Sequence, residues 1–282
     1  MYEIAFFLLI PFIAMLYEGL HRKINARMQN RIGPPIIQPF YDIKKLFQKK
    51  ELKSQNDPFF KHAPLFYFLS TYALFLFIPF SIISFEFDFV ILAYITILSS
   101  SFYVLAGLSS DNPFGIVGSM REMILMIAYE IALVIVIFNF MIKAGVLSLA
   151  NFNSAFLLLS LPISSAALAA ILVVELHITP LDTAEAGAEI MSGSETEYSG
   201  KNLAFFELAT YLKRLFFVFF MPLLLFGKNI FFILPLSLLF LFIYTYCRVT
   251  TPRYRVDQAF KVCFLIMILA LIDFILISRG II

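Results

Sequence analysis

The 282-residue sequence predicts an all-α membrane protein: about eight transmembrane helices, both termini outside, and a cytoplasmic amphipathic helix in the first loop. Three observations carry that expectation. Hydrophobic residues make up 61% of the chain and charged residues 14%, with a mean hydropathy of +0.90; a soluble domain carries about 25% charged residues. Too little polar surface remains to wet a globule. Apolar windows of about 17–23 residues recur along the chain, each long enough to cross roughly 30 Å of hydrocarbon. The basic residues, finally, crowd into alternate loops.

The windows lie near 2–20, 64–84, 89–108, 122–142, 155–176, 204–226, 229–247 and 260–278, and together make residues 1–282 a single polytopic domain. The first window opens on Glu3, lacks a basic start and has no small-residue cleavage site, so it reads as a span and not as a cleavable signal. An even number of spans puts both termini on one side. Of the 21 Lys and Arg residues, sixteen fall on the face of loops 21–63, 109–121, 177–203 and 248–259, against three on the other face. The positive-inside bias makes that face cytoplasmic.

The first loop holds ten of the basic residues. Within it, PFYDIKKLFQKK (39–50) sets Phe40, Ile43, Leu46 and Phe47 on one stripe of a short helix. Such a helix lies along a surface, and either the lipid or a soluble partner fits its position. Loop 177–203 is acidic instead, with Asp182, Glu185, Glu189, Glu195 and Glu197 against one Lys. Connectors this long are functional or disordered. If helical, Asp182, Glu185 and Glu189 share one face, which suits a proton-handling or cation-attracting surface as well as a plain solvated loop.

The spans themselves contain ionisable residues. Glu130 lies about 12 Å into the fourth span at 1.5 Å per residue, with Glu122 only about 80° away around the axis. Glu175 ends the fifth span. Glu207, Tyr211 and Arg214 fall on one face of the sixth, with Lys213 beside them, and Asp273 sits in the eighth. A charge at such depth costs about 3 kcal/mol or more unless paired, hydrated or neutral. Two readings fit: an ion or proton pathway, or internal salt bridges such as Glu207 with Arg214 or Glu130 with Lys213. Cys247 and Cys263 lie in apolar surroundings without a CxxC pairing and read as packing residues. No flavin, metal, nucleotide or nucleic-acid site can be drawn from the sequence, and no catalytic residue is assigned.

Four blocks make the chain resemble the subunit-1 family of NADH dehydrogenase (respiratory complex I), with its relatives in membrane-bound [NiFe] hydrogenases and ferredoxin-linked complexes. The first contains Arg27, Gln29, Arg31, Gly33, Pro34, Gln38, Pro39, Asp42, Lys45, Leu46 and Glu51. The second is SMREMILMIAYE, with Arg121 before Tyr129–Glu130; the third is ELHITPLDTAEAGAEIMSGSETEYSG, with Glu175, Pro180, Asp182, Glu185, Glu189, Gly193, Glu197, Tyr198 and Ser199; the fourth is PRYRVDQAFK, 252–261. Together they cover nearly the whole length.

The resemblance implies a non-catalytic subunit, multi-pass in the cell membrane, that docks a hydrophilic redox arm beneath its last iron–sulfur cluster. Its buried carboxylates open a path towards antiporter-like membrane subunits. Docking would fall to Arg27, Gln29, Arg31, Asp42 and Lys45, with Arg121, Glu197, Tyr198, Arg253, Arg255 and Asp257. The ion pathway would take Glu122, Glu130, Glu175, Asp182, Glu185, Glu189, Glu207, Lys213 and Arg214. Iron–sulfur clusters, and nickel–iron in the hydrogenase branch, would belong to hydrophilic iron–sulfur and hydrogenase-like large subunits, with no cofactor on this chain.

Several positions depart from the complex I pattern. Only Pro35, Ile36 and Ile37 separate Pro34 from Gln38, and Ile178, Gly187 and Thr210 stand where the family has Arg, Glu and an acidic residue. The Lys213–Arg214 pair is also outside that pattern. These losses fall on the quinone-facing loop and point to the hydrogenase or sulfur-reducing branch, in which ferredoxin oxidation is coupled to proton or sodium transport. A quinone-chamber subunit is the near alternative and a free-standing secondary transporter the distant one.

Overall fold

The computed structural model describes residues 2–50, 58–78, 84–146, 148–149, 160–227 and 230–279. Their regular structure is helical throughout: α1 Tyr2–Met28, α2 Gln38–Gln48, α3 Pro58–Ala73, α4 Asp88–Leu108, α5 Pro113–Ala144, α6 Pro162–Glu175, α7 Gly200–Phe226, α8 Ile230–Thr250 and α9 Val256–Ser278. Four of these (α4, α5, α7 and α9), with Ile233–Thr250 of α8, are long and apolar enough to cross a membrane; α6 is apolar but shorter.

Helix boundaries depart from the sequence expectation where capping residues outvote hydropathy. The fourth expected span, 122–142, is the interior of α5, whose start is set by Asn112 accepting from Phe114 N at 3.0 Å, with Pro113 in the first turn. It ends on Gly145, whose φ of +64° suits a left-handed cap. α1 likewise runs on to Met28, so residues expected in a loop are helical. The expected second span, 64–84, begins earlier, at Pro58, and tightens to a 3-10 turn at Leu74–Leu76. Just before that turn the hydroxyls of Ser70 and Thr71 both donate back to Tyr67 O, which loosens the regular ladder. Residues 79–83 of that window and 155–159 of the expected fifth span lie outside the described residues.

α7 is the hub of one half of the bundle, packed by α1, α2, α3, α6 and α8; α5 is the hub of the other, packed by α4, α6 and α9. Around α7 the core is aromatic: Phe216, Phe217 and Phe220 are fully buried, with Phe216 in ring contact with both of the others. By contrast, α8 and α9 leave Leu238, Phe242, Leu265, Ile268 and Ile272 exposed, an outer surface suited to lipid. The helix of the first loop forms as expected but packs on the bundle. Pro39 and Ile43 are buried, and Phe47 meets Phe205 of α7 edge-on at 5.6 Å.

One end of the bundle gathers the end of α1, all of α2, and the segment between α6 and α7. Tyr254 N donates to Pro180 O at 2.9 Å and Tyr198 OH to Ala106 O at 2.9 Å, bringing α4, the start of α9 and that segment together. Most of the basic loops lie here, and it is termed the basic end.

Candidate functional site

A cavity of about 230 Å³ opens at the basic end between α1, α7, α8 and the α6–α7 segment. Four carboxylates line it (Glu18, Glu185, Glu195 and Glu207), with Arg22, Arg214 and Arg248 among them. Glu207, Tyr211 and Arg214 reach it together because helical spacing stacks them on one face of α7. Arg214 lies 3.2 Å from Glu18 and 3.9 Å from Glu185. Arg22 holds Glu18 at 3.3 Å, Asp42 at 2.8 Å and Tyr211 OH at 2.7 Å, so α2 is tied to the rim through Asp42.

Burial pushes the Glu185 carboxyl up, and the Glu207 and Glu18 charges add to that push, against the pull of Arg214 and Arg248. Glu195 is driven well above the usual carboxylate range by burial and by repulsion from Glu185 and Glu207. Acids so placed hold their protons to higher pH than exposed ones do.

Behind the cavity, on another face of α7, Lys213 points away into the bundle. Its Nζ lies 2.7 Å from Glu175 Oε2 and donates to Ser100 Oγ at 2.9 Å. Lys213 is 2% exposed and Glu175 1%. Glu130, 4% exposed, stands in the electrostatic reach of both, yet its two oxygens lack a well-formed hydrogen bond. Glu122 accepts from Tyr129 OH at 2.7 Å, with His177 Nδ1 3.9 Å away. Burial lowers the His177 imidazole, against the attraction of Glu122. This interior group therefore holds three carboxylates against one lysine.

Asp182, Glu185 and Glu189 do not share a helical face. Only Gly187–Ile190 makes a helical turn there, and the three acids part: Asp182 to Arg253 at 2.9 Å, Glu185 to the cavity, Glu189 to Arg121 at 2.7 Å. Packing overrides the period. The segment is wedged between α4 and α5, where a Cβ on Gly118 would stand 2.7 Å from Gly193 Cα and one on Gly107 2.7 Å from Ser194 Cβ. Met191, Ser192 and Gly193 all adopt positive φ, so the turn Gly187–Ile190 stops there and cannot run on into the separate 3-10 turn Gly193–Glu195. Burial raises the Asp182 carboxyl and Glu185 adds to it, against Arg253, whereas the Arg121 hydrogen bond lowers that of the exposed Glu189.

The residues assigned to docking fall in two groups. Arg27 in the last turn of α1, Gln29 and Arg31 just after it, and Lys45 on α2 are exposed. Arg121, Arg253, Arg255 and Asp257 line a second cavity of about 280 Å³. Tyr198 is buried against α4 and stacks on Phe60 at 4.4 Å, and Glu197 Oε2 is buried without a partner. Salt-bridge partners differ from the sequence expectation: Lys213 takes Glu175, not Glu130, and Arg214 takes Glu18 and Glu185, not Glu207. The direction each side chain leaves α7 decides this, and it depends on neighbours that spacing cannot supply.

Glu18, His21, Arg22 and Asn25 line the cavity although sequence reasoning leaves them out of the pathway. Their spacing of three, four and seven is a signal, obscured because hydropathy closes the first window at residue 20. Among the described residues, no group of three or more His, Cys, Asp or Glu could hold a metal ion.

Residues 2–278 match the family model described as NADH dehydrogenase. The homologous subunit of the NADH-quinone oxidoreductase of Bacillus cytotoxicus is 30% identical, over 91% of this chain and 86% of that protein; that of Bacillus mycoides is 31% identical over the same shares. The NADH-ubiquinone oxidoreductase chain 1 of Aedes aegypti is 29% identical over 85% of this chain and 82% of its own. A chain of the membrane-bound sulfane sulfur reductase, an archaeal respiratory membrane complex, superposes with a TM-score of 0.89, covering 97% of each chain at 23% identity.

Proposed function

This chain belongs to the NADH dehydrogenase family, in its subunit 1 branch, and on that premise we propose a non-catalytic membrane subunit that couples electron transfer in a neighbouring arm to ion movement. It is a membrane subunit of a complex I-like respiratory oxidoreductase. In this reading it crosses the cell membrane eight times with both termini outside, and the basic end faces the cytoplasm. A ferredoxin-fed arm of iron–sulfur and hydrogenase-like subunits docks there, through the exposed turn after α1, α2 and the Arg121–Arg253–Arg255 cavity. Antiporter-like subunits adjoin it in the membrane.

One observation carries the reading. An acid-lined cavity at the basic end and a buried Glu130–Glu175–Lys213 group lie on different faces of the same helix, α7. Two buried carboxylates, Glu130 and Glu175, share one lysine, and the negative charge left over holds in the bundle only if a proton or sodium ion neutralises it. A redox step in the arm that alters the field at the cavity shifts that occupancy, and Lys213 can favour either acid as it does so.

Glu130→Gln keeps the volume and removes the titrating group. The assembled complex carrying it, in sealed vesicles, should retain ferredoxin-driven electron transfer but lose ion translocation at least tenfold. Unchanged translocation per electron would sink the proposal. The quinone alternative is favoured by the names of the relatives, which are quinone and ubiquinone oxidoreductases. Inhibition by a quinone-site ligand that also protects this chain from photolabelling would select it.

A further inference from the structure

A second buried polar group lies at the opposite end of the bundle, where α5, α6 and α9 meet. Asn139, Ser164 and Asp273 are all 0% exposed. They sit five residues before the ends of α5 and α9 and two after the start of α6. Asn139 Nδ2 donates to Ser164 Oγ at 2.9 Å and to Ala270 O at 3.0 Å. Asp273 Oδ2 accepts from Ser164 N at 3.0 Å and from the Ser164 hydroxyl. These bonds use every side-chain donor in the group.

Two acceptors remain. Asp273 Oδ1 and Asn139 Oδ1 are both buried without a hydrogen-bond partner. None of the ion pairs among the described residues reaches Asp273, and Lys143, one turn beyond Asn139, is exposed. Capping the start of α6 explains Oδ2 of Asp273 but neither of the free oxygens. Water could donate to either oxygen, yet would leave a carboxylate charge in an apolar bundle, which such sites disfavour strongly.

The geometry points to a binding site for one small monovalent cation, a proton or a sodium ion, at the free Asp273 Oδ1, with Asn139 Oδ1 the other unpartnered oxygen of the same group. Hard cations take oxygen ligands, and a single carboxylate is neutralised by a single positive charge. Ser164 orients both side chains: its hydroxyl links the amide to the acid and its backbone N–H fixes the other carboxylate oxygen. The site is separate from the cavity at the basic end, and it stands whether or not the carboxylates there conduct.

Infrared difference spectra of the assembled complex, parent minus Asp273→Asn, read the occupant directly. Without sodium, the parent should show a carboxylic-acid carbonyl band that shifts in D2O and is lost in Asp273→Asn. Loss of that band on adding sodium, but not choline, assigns the site to sodium in competition with the proton; persistence assigns it to the proton alone. Asn139→Ala, which leaves the acid in place, should shift the band, and it serves should Asp273→Asn fail to assemble. An ionised carboxylate signal from Asp273, the same with and without sodium, would overturn the proposal.

Discussion

Replacing Lys213 by Met removes the only cation paired with Glu175 among the described residues, at nearly constant side-chain length. Lys213 and Glu175 side chains are 2% and 0% exposed and 2.7 Å apart, so neither has solvent to fall back on. Breaking a buried pair from one side costs about 3–5 kcal/mol, because the remaining charge is left uncompensated. Glu130 adds to the loss, since Lys213 is also the cation in its electrostatic surroundings. Neutralising the partner as well, in Lys213→Met with Glu175→Gln, should return about 0.5–3 kcal/mol, the usual size of coupling between residues in direct contact. Heat-induced loss of the assembled complex should then rank parent, double variant and single variant in falling order of stability. If Lys213→Met matched the parent, or the double variant were no better than the single, the pair would not be holding the charge balance of the bundle.

Ala at Arg27 and Arg31 should loosen the soluble arm, with the gap from parent widest at low ionic strength, where exposed charges act over about 10 Å or more; an arm retained at every salt concentration would count against docking there. Gly118→Ala should force the α6–α7 segment off α5, since its Cβ would stand 2.7 Å from Gly193 Cα; overpacking of this kind costs about 1–3 kcal/mol and should appear as faster proteolysis within 177–199. The raised carboxyls of Asp182, Glu185 and Glu195 give that segment a pH dependence. For an acid whose folded value lies above its unfolded one, the penalty is absent below the unfolded value of about 4. It grows as pH rises from there and levels off above the folded value. Hydrogen exchange in the segment should therefore slow on acidification from neutral pH, once corrected for intrinsic rates, and Glu195→Gln should weaken that response.

The spans and the basic bias could be read because both are sums over many residues. α4 matches its window to within one residue, 89–108 against Asp88–Leu108. What composition could not show was where polar residues extend a helix beyond its apolar part. α1 continues through Arg22, Asn25 and Arg27, and hydropathy cuts it after Glu18 but before His21, Arg22 and Asn25, which line the cavity with it. The face shared by Glu207, Tyr211 and Arg214 was legible because it needs only helical spacing. Their partners were not, since Glu18 is 196 residues from Arg214 along the chain. The acidic segment misled for a third reason: its i, i+3, i+7 pattern is real, but close glycine contacts with α4 and α5 fix its backbone first.

Lys213 and Arg214 are consecutive on α7, and consecutive side chains leave an α-helix about 100° apart. One grips Glu175 within the bundle and the other grips Glu18 at the cavity. A rod cannot turn on one side alone: any twist of α7 that draws Arg214 from Glu18 swings Lys213 past Glu175 through the same angle.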